Sequence, residues 1–127
     1  MKRYFVFLIS AVALISLLFV SCSSIEIGYV GSNVGNGING SYKYFNGTKT
    51  KIIEAHAGDT IVVDYSSEVK NGELSMTILD SSGNLVANLE TNTSGTKTLN
   101  PNTDENYKLV IQGTKTEGSF DVSWEIN

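Results

Sequence analysis

Histidine and cysteine, the residues most often recruited for nucleophilic and metal chemistry, occur once each in this chain, as His56 and Cys22. Nucleophilic catalysis needs a nucleophile beside a base that is itself oriented. His56 stands in Glu54-Ala55-His56-Ala57-Gly58, at a strand end, where nothing in the sequence fixes its tautomer as a mechanism would require. No serine lies in a Gly-x-Ser-x-Gly elbow. One histidine and one cysteine cannot build the clustered donor set of a transition-metal site. Paired carboxylates can hydrolyse glycosides, and Asp59, Asp64, Glu68, Glu73 and Asp80 are the candidates. Each adjoins a turn signal or falls on the polar side of an alternating run, which is where ionised groups stay solvated. The expectation is a protein that is not an enzyme, with a small secreted hydrolase as the weakest alternative.

Binding chemistry has more support. Calcium takes oxygen ligands from loops. Asp80-Ser81-Ser82-Gly83-Asn84 lacks the EF-hand spacing and reads as a hairpin turn. Asn102, Asp104 and Glu105, within Asn100-Pro101-Asn102-Thr103-Asp104-Glu105, form the better calcium candidate, and no other cofactor is expected. Tyr42 and Tyr44 alternate onto one side of a strand-like run, opposite Lys43 and Phe45. With Phe45 in the core they would form an exposed aromatic platform for a sugar ring; the alternative places the tyrosines themselves inside. Gly35-Asn36-Gly37-Ile38-Asn39-Gly40 matches Gly-x-Gly-x-x-Gly, but that fingerprint works only where a helix follows, and Ser41–Phe45 is strand-like.

The elements that must position these residues read as short strands between turn signals. Ser41–Phe45, Thr50–Ala55, Thr60–Tyr65, Glu73–Leu79, Leu85–Glu90, Gly95–Leu99, Tyr107–Gln112 and Ser119–Ile126 are the runs. Asn46-Gly47, Ala57-Gly58-Asp59, Ser66 to Gly72 and Asp80 to Asn84 read as the turns. Phe120, Val122, Trp124 and Ile126 share one face of the last run, while Ser119, Asp121, Ser123 and Glu125 take the other. Tyr107, Leu109 and Ile111 repeat the pattern, as do Leu74, Met76 and Ile78. The expected core is Phe45, Ile52, Ile53, Ile61, Val63, Leu74, Met76, Ile78, Leu85, Leu99, Leu109, Ile111, Phe120, Val122 and Trp124. The fold class is all-β: a single antiparallel β-sandwich, jelly-roll-like, of about seven to nine strands.

The start of the chain is of another kind. Lys2 and Arg3 precede an apolar run from Phe5 to Val20, then Ser21-Cys22-Ser23-Ser24. Charged start, apolar middle and small-residue exit predict a secretory signal peptide. The run falls short of the roughly 20 residues that a membrane-spanning helix needs. Cys22, directly after Phe19-Val20-Ser21, resembles the lipobox of bacterial lipoproteins. The resemblance implies a diacylglycerol on the Cys22 thiol, cleavage before it and acylation, such as palmitate, of the new amine. Ser21 fits the small residue required there, whereas Phe19 departs from the usual Leu. The expected organisation is therefore a lipoprotein signal peptide over 1–21, a lipidated Cys and flexible Gly/Asn-rich tether over 22–37, and a β-sandwich over 38–127. Within the tether, Ile25 to Tyr29 could add an edge strand.

Cleavage there would remove two basic residues, Lys2 and Arg3, and no acidic one, taking the formal charge from −4 to −6. A chain this acidic, with no lysine cluster, is unsuited to nucleic acid, where affinity comes from neutralising phosphates. The order of strand, Ala57-Gly58-Asp59, strand, Gly72 to Gly83, strand, Asn106 to Gly113 and Glu117 to Trp124 resembles the jelly-roll sandwiches related to bacterial pre-peptidase C-terminal domains. The resemblance spans about residues 38 to 126 and carries no catalytic residue. It implies an accessory binding domain. The reading is an extracytoplasmic protein, lipid-anchored to a bacterial membrane, with a non-catalytic binding or interaction module for an envelope protein or polysaccharide. A carbohydrate- or matrix-binding module assisted by calcium is the second reading.

Overall fold

The computed structural model describes residues 24–127. The segment read as a signal peptide, and Cys22, therefore lie outside the described residues. Among the described residues there are seven strands: β1 (Ile25–Ile27), β2 (Val30–Ser32), β3 (Gly37–Ala55), β4 (Ile61–Leu79), β5 (Leu85–Leu89), β6 (Ser94–Leu99) and β7 (Glu105–Ile126). All pairings are antiparallel.

Three of these strands are far longer than the usual five or six residues. β3 and β4 have 19 residues each and β7 has 22. Each changes register midway: β3 between Tyr42 and Gly47, β4 between Val69 and Glu73, and β7 across the facing positions Thr114 to Gly118. The irregularities stand side by side, so all three strands bend at one level. The bend divides the sheet into two layers that share strands. One layer runs β2, β3, β7, β4, β6 and the other β1, β3, β7, β4, β5. The inner faces enclose the core, to which the first layer contributes Ile38, Tyr42, Ile61, Val63, Phe120, Val122 and Trp124. Ile53, Leu74, Met76, Ile78, Leu89, Leu109 and Ile111 come from the second. The result is the expected antiparallel sandwich, its seven strands including three that are unusually long.

The bend is shaped by glycine and by one large ring. Gly72 (φ 74°) and Gly118 (φ 149°) adopt backbone that other residues rarely take. A Cβ on Gly118 would strike the Glu68 carbonyl, and one on Gly72 the Lys115 carbonyl. Phe45 fills the inside corner, fully buried, over Gly113. Asn46 Oδ1 accepts the Lys115 amide at 3.1 Å and braces β7 where Lys115 itself has φ 48°. Asn46-Gly47 and the Ser66–Gly72 stretch are therefore irregularities within strands and do not turn the chain back.

Two further expectations are corrected. Ile52 and Leu85 are 51% and 64% exposed. Ile53 takes the inward position and Ile52 must then face out; Leu85 precedes the register shift of β5, whose inward side is filled by Leu89. The stretch read as a flexible tether carries β1 and β2, both paired with β3. The side chains that hold it are inward-pointing lysines of β3. Lys49 Nζ lies 2.6 Å from Glu26 and 4.4 Å above the Tyr29 ring. Lys51 Nζ donates to Asn33 Oδ1 at 2.6 Å and to the Gly37 carbonyl at 3.0 Å.

Candidate functional site

On the outer face at the bend an open groove of about 590 Å³ runs beside β4 and β7. Its floor is made of cross-strand pairs. Glu73 stands opposite Thr114, and Ser75 opposite Gln112. Alternation puts these side chains outside because Leu74 and Met76 are buried between them. Paired residues of neighbouring strands have Cβ atoms about 4.5–5.5 Å apart. The floor thus presents hydroxyl, amide and carboxylate groups close enough to share one ligand.

The wall is the loop between β5 and β6, which brings Thr91 and Asn92 to the groove. It is pinned to β4 at three points. The Asn92 amide donates to Ser67 Oγ at 2.8 Å, the Val69 amide to Asn92 Oδ1 at 3.1 Å, and the Ser67 amide to the Thr93 carbonyl at 3.0 Å. Asn92 has φ 61°, a conformation asparagine tolerates better than most residues. A fourth tie is Glu90, which accepts the Tyr65 hydroxyl and, at 3.3 Å, Lys97 Nζ. The Tyr65 hydroxyl bond is the main reason the Glu90 carboxyl is held down to about 2. The wall is therefore set before any ligand arrives. Sequence reasoning missed this groove. Its only sequence signal is Asn92 in Thr91-Asn92-Thr93-Ser94, and the partners Ser67 and Val69 stand far away along the chain.

The residues singled out from sequence lie elsewhere. Tyr42 is 4% exposed and does not form an outward platform. The register shift between Tyr42 and Phe45 turns both inward, where strict alternation would have opposed them. Tyr42 stacks on Tyr29 (centroids 6.0 Å, planes 8° apart) and packs against Phe45 at 5.3 Å. Burial pushes its hydroxyl up to about 12, with the Thr116 hydroxyl partly offsetting that rise. Neither buried hydroxyl has a well-formed hydrogen-bond partner. Tyr44 is half-buried, opposite Ile27 of β1.

The calcium candidates do not converge. Asp104 Oδ1 accepts the Ala57 amide at 2.9 Å, whereas Glu105 Oε1 accepts the Ser81 amide and hydroxyl at 3.1 and 3.0 Å. Asn102 is exposed on the intervening loop. Among the described residues no three His, Cys, Asp or Glu side chains are grouped to hold a metal ion. His56 Nδ1 is 3.8 Å from Asp104 Oδ1, with both side chains largely in solvent. Asp59, Asp64 and Asp80 serve as hydrogen-bond acceptors for His56, Thr96, Ser82 and Asn84. The Gly-rich run leads into β3, with no helix after it.

An all-β sandwich protein with a polar outer groove is the class these observations define. No known protein family matches the chain, and no curated protein matches it either. Among solved structures it is similar to the periplasmic g-type lysozyme inhibitor PliG of Aeromonas hydrophila, at 13% identity and a TM-score of 0.44, over 77% of this chain and 89% of that one. A carbohydrate-binding module described as CBM4 matches at 12% identity and 0.39, over 80% and 78%. The enzymatically active domain of tailspike protein 4 from bacteriophage CBA120 matches at 17% and 0.39, over 83% of this chain and 19% of that one. At these values the likeness is loose, and the functional reading stands on the chain's own residues.

Proposed function

We propose that this chain is a non-catalytic binding module of the bacterial cell envelope, anchored through a lipidated Cys22 and engaging its ligand at the groove beside the bend. The observation that carries the reading is the groove's construction: a pinned wall facing a floor of outward Glu73, Ser75, Gln112 and Thr114. A preformed site loses little freedom on binding, so modest contacts suffice for affinity. The side chains are mostly neutral hydroxyls and amides, which match the hydrogen-bonding groups of a polysaccharide. That favours a carbohydrate as the second, more specific reading. This reading invokes no calcium at Asp104 and Glu105, which accept hydrogen bonds in separate loops.

The test is capture of envelope proteins and glycans by the lipidated protein and by Gln112→Ala, with melting followed with and without calcium. The expected result is a ligand retained by the wild type, weakened about tenfold or more by the variant, as for loss of a hydrogen bond with its partner left unpaired. Calcium is expected to leave Tm unchanged. Equal capture by both proteins would move the site off the groove, and turnover of a captured glycan would make the protein an enzyme.

A further inference from the structure

The edge formed by β1, β2 and the segment after them differs from the rest of the surface. Ile25, Ile27, Val30 and Val34 are 53%, 57%, 76% and 76% exposed. From Ser24 to Gly40 the only charged residue is Glu26, and its carboxylate is paired with Lys49 at 2.6 Å. Ile25 and Ile27 share one side of β1, because Glu26 between them turns inward to Lys49. Beside Ile27 stands Tyr44, a residue type whose ring favours the membrane–water boundary. The open end of the sandwich has the reverse character. Glu54, Asp59, Asp80, Asp104 and Glu105 gather there, joined by the register Glu54–Asn106 and Ala55–Glu105 and by the Asp104 and Glu105 loop bonds.

We infer that the edge Ile25–Val34 lies in the headgroup layer of the membrane that holds the anchor. The inference rests on the proposed lipidation of Cys22. Cys22 stands three residues before Ile25, and three residues reach at most about 10 Å. A diacylglycerol at Cys22 therefore delivers Ile25 and Ile27 to the depth of about 5–10 Å at which apolar side chains settle into the interface. The anchor keeps the edge there at high local concentration, so a small apolar area is enough. The docking of β1 onto β3 matters because a free tether of the same sequence would let the domain drift and tumble. Coverage by lipid also shields the open backbone of an edge strand from pairing with other chains.

The experiment uses the full-length protein, purified with its anchor and reconstituted in vesicles of phosphatidylethanolamine and phosphatidylglycerol that carry brominated acyl chains. Ile27→Trp places a reporter on the edge, and Val86→Trp places one on β5, on the other side of the sheet. Both sites are exposed, and emission from the buried Trp124 reports that each variant is folded. Mass spectrometry first establishes the diacylglycerol. The expected result is quenching of Trp emission about twofold or more stronger for Ile27→Trp than for Val86→Trp, as for side chains seated among the lipids. Equal quenching in protein that carries the lipid would overturn the orientation and leave the anchor standing. A dimer cross-linked through the edge, with the Ile27→Trp emission unquenched, would assign the surface to a second copy and overturn it too. Absence of the lipid would remove the anchoring reading and this one together.

Discussion

The bend and the open end of the sandwich are held by opposite means. At the bend the determinants are steric: buried Phe45, and Gly72 and Gly118 at points where a Cβ would collide with backbone. At the open end, carboxylates in solvent accept loop amides. Asp104 takes the amide of Ala57, Asp59 that of His56, Asp80 those of Ser82 and Asn84, and Glu105 that of Ser81. A steric determinant has no substitute when it is removed, because the packed interior does not readily refill. An exposed hydrogen bond exchanges with water at small net cost. The bend therefore sets whether two layers form at all, while the open end sets only how its loops rest.

Mutations at the bend should give the largest effects. Phe45→Ala empties the inside corner and should cost roughly 3–5 kcal/mol in urea unfolding. Gly118→Val, which adds a clash with the Glu68 carbonyl to a strained φ, should cost roughly 3 kcal/mol or more. A loss below about 1 kcal/mol for either would dissolve the contrast between the two regions. At the open end Asp104→Ala should lower Tm by only about 4 °C or less in a thermal melt, with the Ala57 amide turning to water. A larger drop would show that the loops carry the fold as well.

The smallest effect sharpens the comparison within the bend. Tyr42→Phe removes a buried hydroxyl that lacks a partner, so stability at neutral pH should be unchanged or about 1 kcal/mol higher. The folded-state value is raised to about 12 from the ordinary 10.0. The unfolded chain therefore ionises first, and the stability present below pH 10 declines as pH climbs toward 12. Unfolding curves across that range should show the decline in the wild type and a shallower one in Tyr42→Phe. An identical decline in both would place the titration elsewhere.

Much of the core was legible. Leu74, Met76 and Ile78, Tyr107, Leu109 and Ile111, and Phe120, Val122 and Trp124 are buried as their alternation predicts. Alternation failed where a register shift changes its phase, which is why Tyr42 and Phe45 face the same side. Gly and Asn were read as chain reversals at Asn46-Gly47 and near Gly72 because the same residues serve tight turns and strand irregularities. The groove was illegible for another reason. Asn92, Ser67 and Val69 meet only through the folding of β4 against the loop after β5, and no local pattern marks such a meeting.

By itself the sequence determined the all-β class and the inward side chains of the regular strand stretches, since a period of two forces successive residues to opposite faces. Composition determined the acidic character in the same direct way. Only the tertiary structure decided that three long strands bend together, that β1 and β2 dock on β3, and which polar residues share a groove. Those outcomes depend on contacts between residues distant in the chain, where packing and hydrogen-bond partners, not local preference, select one arrangement.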